Sequence, residues 1–159
     1  MFEKVYGKEA ANQGATLKGR WSVTLYGPDG QAKDYREGPN VVCTNGKEFL
    51  ASFLASAAAS ASTFTMKYVA IGTDATAEAA ANTALGTEAA RTTGTVSYVS
   101  GQIYRVTATF GTGVGTGSIV EYGLLSSSTG GTLLSRDTET AINKGANDTL
   151  VAVVNLTIS

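Results

Sequence analysis

Few residues in this chain have the type and spacing that chemistry requires. Histidine is absent, which removes Ser-His-Asp and Cys-His nucleophile pairs and every histidine-containing zinc site. The single cysteine, Cys43, builds neither a thiolate metal cluster nor an intrachain disulfide. Flanked by Val41, Val42 and Thr44, it reads as a buried structural thiol at a strand end. The glycine-rich run 111–117, GTGVGTG, has neither dinucleotide nor P-loop spacing, and Gly46-Lys47 is followed by Glu48 rather than Ser or Thr. Carboxylates remain. Asp137 and Glu139 stand at a strand-compatible i, i+2 spacing, but a glycosidase pair needs a cleft with aromatic platforms, and the tyrosines are spread along the chain. Asp74, Asp137, Glu139 and Asp148 are loop acids of the kind calcium takes, without EF-hand spacing; the plainer reading is solvated loops. The expectation is a non-enzymatic chain with no catalytic residues, no resident metal and no cofactor.

Glu121 is the one carboxylate that looks out of place. It stands mid-strand, on the face shared by Ile119 and Gly123. Either it is exposed at a sheet edge, or it is buried and needs a cation, with Arg136, Arg105 and Lys144 as candidates. The pair Glu121–Arg136 is taken as the candidate buried ion pair.

The elements that carry these residues are mostly strands. Ser118–Arg136 reads as strand, turn and strand, because Ser126–Gly131 contains only Ser, Thr and Gly between two apolar runs. In Arg20–Tyr26, Trp21, Val23 and Leu25 alternate with Ser22, Thr24 and Tyr26; Thr149–Ile158 alternates in the same way. Gln31–Glu37 is a polar strand that Gly38-Pro39-Asn40 is expected to break. Phe64–Gly72 is a further strand, Thr73–Arg91 an extended loop, and Asp137–Asn147 another loop. Thr93–Val99 and Gln102–Phe110 form a hairpin that sets Tyr98 opposite Tyr104 and Val96 opposite Val106. Asn45, with Glu48 three positions on, reads as a capping box. The helix should run over residues 46–60, with its stripe of Phe49, Leu50, Phe53, Leu54 and Ala57 in the core rather than lining a ligand groove.

The pattern predicts a mainly β chain: an antiparallel β-sandwich, jelly-roll-like or Ig-like, with one short α-helix near residues 46–60. Its 159 residues suffice for one domain, placed at 20–159. Residues 1–19 are polar with scattered apolar side chains and no clear period. They are either a frayed tail or, as taken here, an extended arm that orders against a neighbouring subunit. Phe2, Tyr6 and Leu17 are its expected partner contacts. Charged residues make up 16% of the chain, below the roughly 25% usual for soluble domains. Either partners cover part of the surface, or this is simply a β-protein with small-residue loops. The net charge of −1, without a basic stripe, argues against nucleic acid. No apolar run reaches the ~18 residues of a membrane span, and residues 1–10 lack a signal-peptide core, so synthesis and folding in the cytoplasm are expected.

Two stretches resemble a pattern in tailed-bacteriophage virion proteins. The first lies within Val41–Arg91, where NVVCTNGKEFLASFLA precedes YVAIGTDATAEAAANTALGTEAAR. The second is residues 119–159, IVEYGLLSSSTGGTLLSRDTETAINKGANDTLVAVVNLTIS. Residues 1–40 fall outside the resemblance. It implies a non-enzymatic virion β-domain: a capsid decoration (cement) protein, usually homotrimeric, whose partners are the major capsid protein or other virion proteins. The alternative is a tail, fibre or baseplate component; no shaft repeat or coiled coil is visible. A host-surface carbohydrate-binding module is the reading from a different class, resting on Tyr98, Tyr104 or Tyr122 as exposed aromatics.

Overall fold

The two cleanly alternating stretches build the centre of the sheet. The computed structural model describes residues 16–55, 66–100 and 102–159. Its elements are β1 (Leu17–Tyr26), β2 (Ala32–Val42), α1 (Thr44–Ala55), β3 (Tyr68–Gly72), β4 (Glu88–Thr93), β5 (Thr95–Ser100), β6 (Ile103–Phe110), β7 (Gly117–Leu125), β8 (Leu133–Lys144) and β9 (Thr149–Ile158). The protein is mainly β: the described residues form nine antiparallel strands in the order β4-β3-β7-β8-β2-β1-β9-β6-β5. In the central pair Trp21 lies opposite Val154, Val23 opposite Ala152 and Leu25 opposite Leu150. All six are buried, because a period of two sends them to one face.

Two features curl this order into a nearly closed, barrel-like sandwich. First, β2 belongs to both halves: residues 32–40 pair with β1, whereas Val41 and Val42 pair with β8. Second, the two strands at the ends of the order, β4 and β5, are consecutive in the chain and separated only by Gly94. Gly94 N donates to Lys67 O at 2.7 Å. A Cβ at Gly94 would stand 2.4 Å from Val106 Cγ1, so the corner needs glycine. The core lies between the halves. Trp21, Phe110 and Val154 from one half meet Ile71, Ile119, Tyr122 and Leu124 from the other. The Trp21 and Tyr122 rings join them, with centroids 5.9 Å apart.

The β3-β7-β8 half also buries its opposite face. Alternation along β3 and β7 puts Ala70 and Leu125 there, where they cluster with Cys43, Leu85 and Leu133. Leu85 comes from the segment 73–87, which covers this layer. It packs onto Gly123, whose missing side chain makes the room: a Cβ would fall 2.2 Å from Leu85 Cδ1.

Helix α1 begins at Thr44, and Cys43 O accepts the first helical bond from Lys47 N at 3.2 Å. Asn45 is therefore inside the first turn rather than at the cap. The described helix runs to Ala55, and positions 56–60 of the expected helix lie outside the described residues. At Gly46 the helix touches β8, since a Cβ would stand 2.5 Å from Leu134 Cα and 2.7 Å from its carbonyl oxygen. Alanine favours helix by about 1 kcal/mol over glycine, yet here backbone would have to move. Gly46→Ala should lower stability by about 1–3 kcal/mol, read as a fall in melting temperature.

Four expectations about element bounds change. β2 runs through Gly38-Pro39-Asn40: it pairs with β8 only at Val41 and Val42, so Pro39 has a ladder on one side only, the setting in which proline is tolerated. β8 continues past Asp137 to Lys144, carried by Thr138, Thr140 and Ile142 through an irregular register between Ile119 and Glu121 of β7. The end of the expected loop 73–91 becomes strand β4, pairing with β3 from Tyr68↔Thr93 to Gly72↔Glu88. Residues 17–19 are ladder residues of β1, opposite Ile158, Thr157 and Leu156, so the sheet begins before residue 20.

Candidate functional site

The Glu121 and Arg136 side chains meet beneath the segment 73–87. Both are buried, at 0% and 2% exposure. Arg136 donates to Glu121 Oε2 from Nη2 at 2.9 Å and from Nε at 3.0 Å. Gly123 and Arg136 are ladder partners, and Glu121 is two residues along on the same face, so the β7–β8 register sets this meeting. The backbone completes it. Gly86 N donates to Oε2 at 2.9 Å, and Thr87 N and Asp74 N donate to Oε1 at 2.7 and 3.3 Å. Arg136 in turn donates to Thr76 O at 2.9 Å, to Asn82 Oδ1 at 3.3 Å and to Asp74 Oδ2 at 3.3 Å. The pair thus clamps both ends of the covering segment to the sheet. A carboxylate that already accepts five hydrogen bonds is poorly placed to take a proton from a substrate. The other two candidate cations are engaged elsewhere: Arg105 Nε donates to Asn155 Oδ1 at 2.7 Å, and Lys144 Nζ to Gly111 O and Asp148 O, each at 2.8 Å.

The remaining acids do not assemble into a reaction centre. Asp137 stands opposite Tyr122 in the ladder, on the core side, at 2% exposure. Its Oδ2 and the Tyr122 hydroxyl are buried without a hydrogen-bond partner among the described residues. Burial first, then the charges of Glu139 and Glu78, push the Asp137 carboxyl up to about 7. Glu78 accepts a hydrogen bond from Thr138 Oγ1. Asp74 fastens its own loop, accepting from Thr76 N at 3.1 Å and Thr76 Oγ1 at 2.8 Å, and these bonds hold its carboxyl below the usual range. Asp148 accepts from Lys33 Nζ at 2.9 Å and Gly145 N at 2.9 Å. Among the described residues, no three acid or cysteine side chains converge as a metal site.

The three tyrosines considered for sugar stacking do not share a surface. Tyr122 is in the core. Tyr104 donates its hydroxyl to Met66 O at 2.7 Å, and burial pushes it up to about 12. Only Tyr98, 74% exposed, faces outward. It belongs to the β5 edge, whose partner β6 sets Tyr98 opposite Tyr104 and Val96 opposite Val106, as the hairpin pattern indicates. Val96, Tyr98 and Val99 are all exposed there, and Thr95–Ser100 contains no charge. The β4 edge, by contrast, carries a Glu88–Arg91 ion pair.

A second apolar surface lies at one end of the barrel. Phe49, Leu50 and Phe53 of α1, with Met66, Tyr104, Leu134, Leu156 and Ile158, line an open groove of about 310 Å³. The α1 stripe therefore does more than fill the core: Phe49 and Leu50 pack against it from one side and border this groove on the other. Of the expected arm contacts, Leu17 sits in β1 opposite Ile158 and packs against the core; Phe2 and Tyr6 lie outside the described residues. No family model matches this chain, and no curated protein or solved structure matches it. The α1 stripe, expected in the core rather than along a groove, borders the groove as well, because three large apolar side chains in five helical positions carry no mark that separates core from groove wall.

Proposed function

We propose that this chain is a non-enzymatic structural protein of a tailed-bacteriophage virion, and within the particle a decoration protein that binds and stabilises the capsid lattice. Support comes from the resemblance of residues 41–91 and 119–159 and from the character of the surface. The observation that carries the reading is the uncharged β5 edge. Val96, Tyr98 and Val99 are exposed on a strand with one sheet neighbour; it carries a register irregularity between Tyr98 and Ser100, but none of the lysine or proline with which soluble proteins guard an edge that no partner covers. Contacts of this size are weak singly and add over many copies on a lattice. The partners in this reading are the major capsid protein or other virion proteins, and the chain acts as a homotrimer.

Co-sedimentation with capsids stripped of the chain tests it. The double variant Val96→Lys/Val99→Lys should melt within about 1 kcal/mol of the parent, since both positions are exposed, and should pellet with capsids at least tenfold more weakly. Pelleting equal to that of the parent removes the edge as the docking surface. Absence of pelleting by the parent chain removes the decoration reading.

A further inference from the structure

The barrel end that carries the groove is also where the chain enters the sheet. Thr16 and Ser159 exchange backbone hydrogen bonds at 2.5 and 2.9 Å, and Leu17 stands opposite Ile158. Ile158 lines the groove and is still 51% exposed. Thr16, the first described residue, therefore stands beside the groove's rim. The groove wall from Phe49, Leu50, Phe53, Met66, Leu156 and Ile158 is apolar and carries no charged side chain. An apolar cavity of about 150 Å³ holds one benzene, so this one has room for about two aromatic rings.

Residues 1–15 have the matching composition. Met1, Phe2, Val5 and Tyr6 are their large apolar side chains, Phe2 and Tyr6 the only aromatic ones, and residues 7–15, GKEAANQGA, form a spacer with none. Extended, that spacer spans roughly 30 Å. A ring meant for its own groove would need only a few residues of slack, because the groove borders the exit point. A spacer of this length, made of small and polar residues, gives the rings the reach for a groove one molecule away. We propose that the groove receives Phe2 and Tyr6 of a second copy of this chain, so that copies are linked by exchange of their first 15 residues. This deepens the assembly reading above and rests on it, by assigning the contact that makes the oligomer.

The test uses the full chain. Tyr6→Cys/Phe53→Cys is prepared in normal and in nitrogen-15 forms, mixed, oxidised mildly, and mapped by peptide mass. Cys43 stays in place because it is buried. The expected result is a 6–53 disulfide in which about half of the linked peptides carry one label from each preparation, on chains running as dimers or larger without reductant. Links within a single label only would mean that the segment serves its own groove, and would overturn the exchange. No 6–53 link, or an equal yield from Tyr6→Cys/Glu48→Cys, whose second site is exposed outside the groove, would overturn it too. Independently of the cysteines, Phe2→Ala/Tyr6→Ala should weaken self-association at least tenfold by sedimentation velocity with an unchanged melting temperature. Unchanged association overturns the proposal. Loss of the exchange with capsid pelleting intact would leave the decoration reading standing, so the two failures are distinguishable.

Discussion

Replacing Glu121 by glutamine should lower the unfolding free energy by about 3 kcal/mol, because breaking a buried pair strands the remaining charge. For a chain of this size that corresponds to a melting temperature lower by roughly 6–12 °C. Glutamine keeps the shape but cannot satisfy the Arg136 guanidinium, which is 2% exposed. Its NH₂ also stands where one carboxylate oxygen accepts, either against Gly86 N and the Arg136 guanidinium at the Oε2 position or against Thr87 N and Asp74 N at the Oε1 position. The reverse change, Arg136→Met, should cost less, since Glu121 keeps those three backbone donors. The double variant should recover part of the loss, because removing both charges removes the stranded one. Denaturant melts of the three variants decide this. Equal stability of Glu121→Gln and the parent would mean that the clamp contributes nothing. Susceptibility to proteolysis should rise first in residues 73–87, the segment the clamp holds.

Asp137→Asn is expected to stabilise the protein at pH 8 and to leave it unchanged at pH 4. The Asp137 carboxyl is buried, its Oδ2 has no partner among the described residues, and Glu139 and Glu78 add like charge, so it is pushed up to about 7 in the folded protein against about 3.9 in the unfolded chain. Between those values the native state holds the extra proton. Stability therefore falls as pH rises through this window, by up to about 4 kcal/mol for a shift of that size. Glu37, Asp74 and Asp148 have carboxyls held below the usual range by their partners. Their stabilisation is lost only as pH falls below about 4, so they do not mask the effect. Asparagine removes the charge, and at pH 8 the variant should gain about 2 kcal/mol or more. Parallel stability–pH curves for parent and variant between pH 4 and 8 would refute the assignment to Asp137.

Where burial is one-sided and the pattern simple, this fold is legible in the residues. The β1 and β9 alternation places Trp21, Val23, Leu25 and the β9 apolar set on one face, and the β5–β6 register follows from a short turn between β-forming runs. Glu121 stands out because a carboxylate between apolar neighbours needs a cation, and Arg136 is near along the same hairpin. What the pattern hides is decided by neighbours distant in sequence. Pro39 continues a strand because β8 pairs with only two residues of β2. Asp137 sits in a strand rather than a loop because β7 supplies the ladder. Residues 88–93 look like more of the Ala/Thr/Gly loop, yet β3 offers them an open edge. The proposed function is less legible than the fold because the recognition proposed above would rest on surfaces, the β5 edge and the groove, rather than on a residue set with its own spacing.

The most direct test is to locate the chain in the particle by electron microscopy of tailed-phage virions that carry it, with antibody labelling of the full chain. A decoration protein should appear as regularly repeated density over the outer face of the head, at the junctions between capsomers. Density confined to the tail, or particles devoid of the chain, would contradict it.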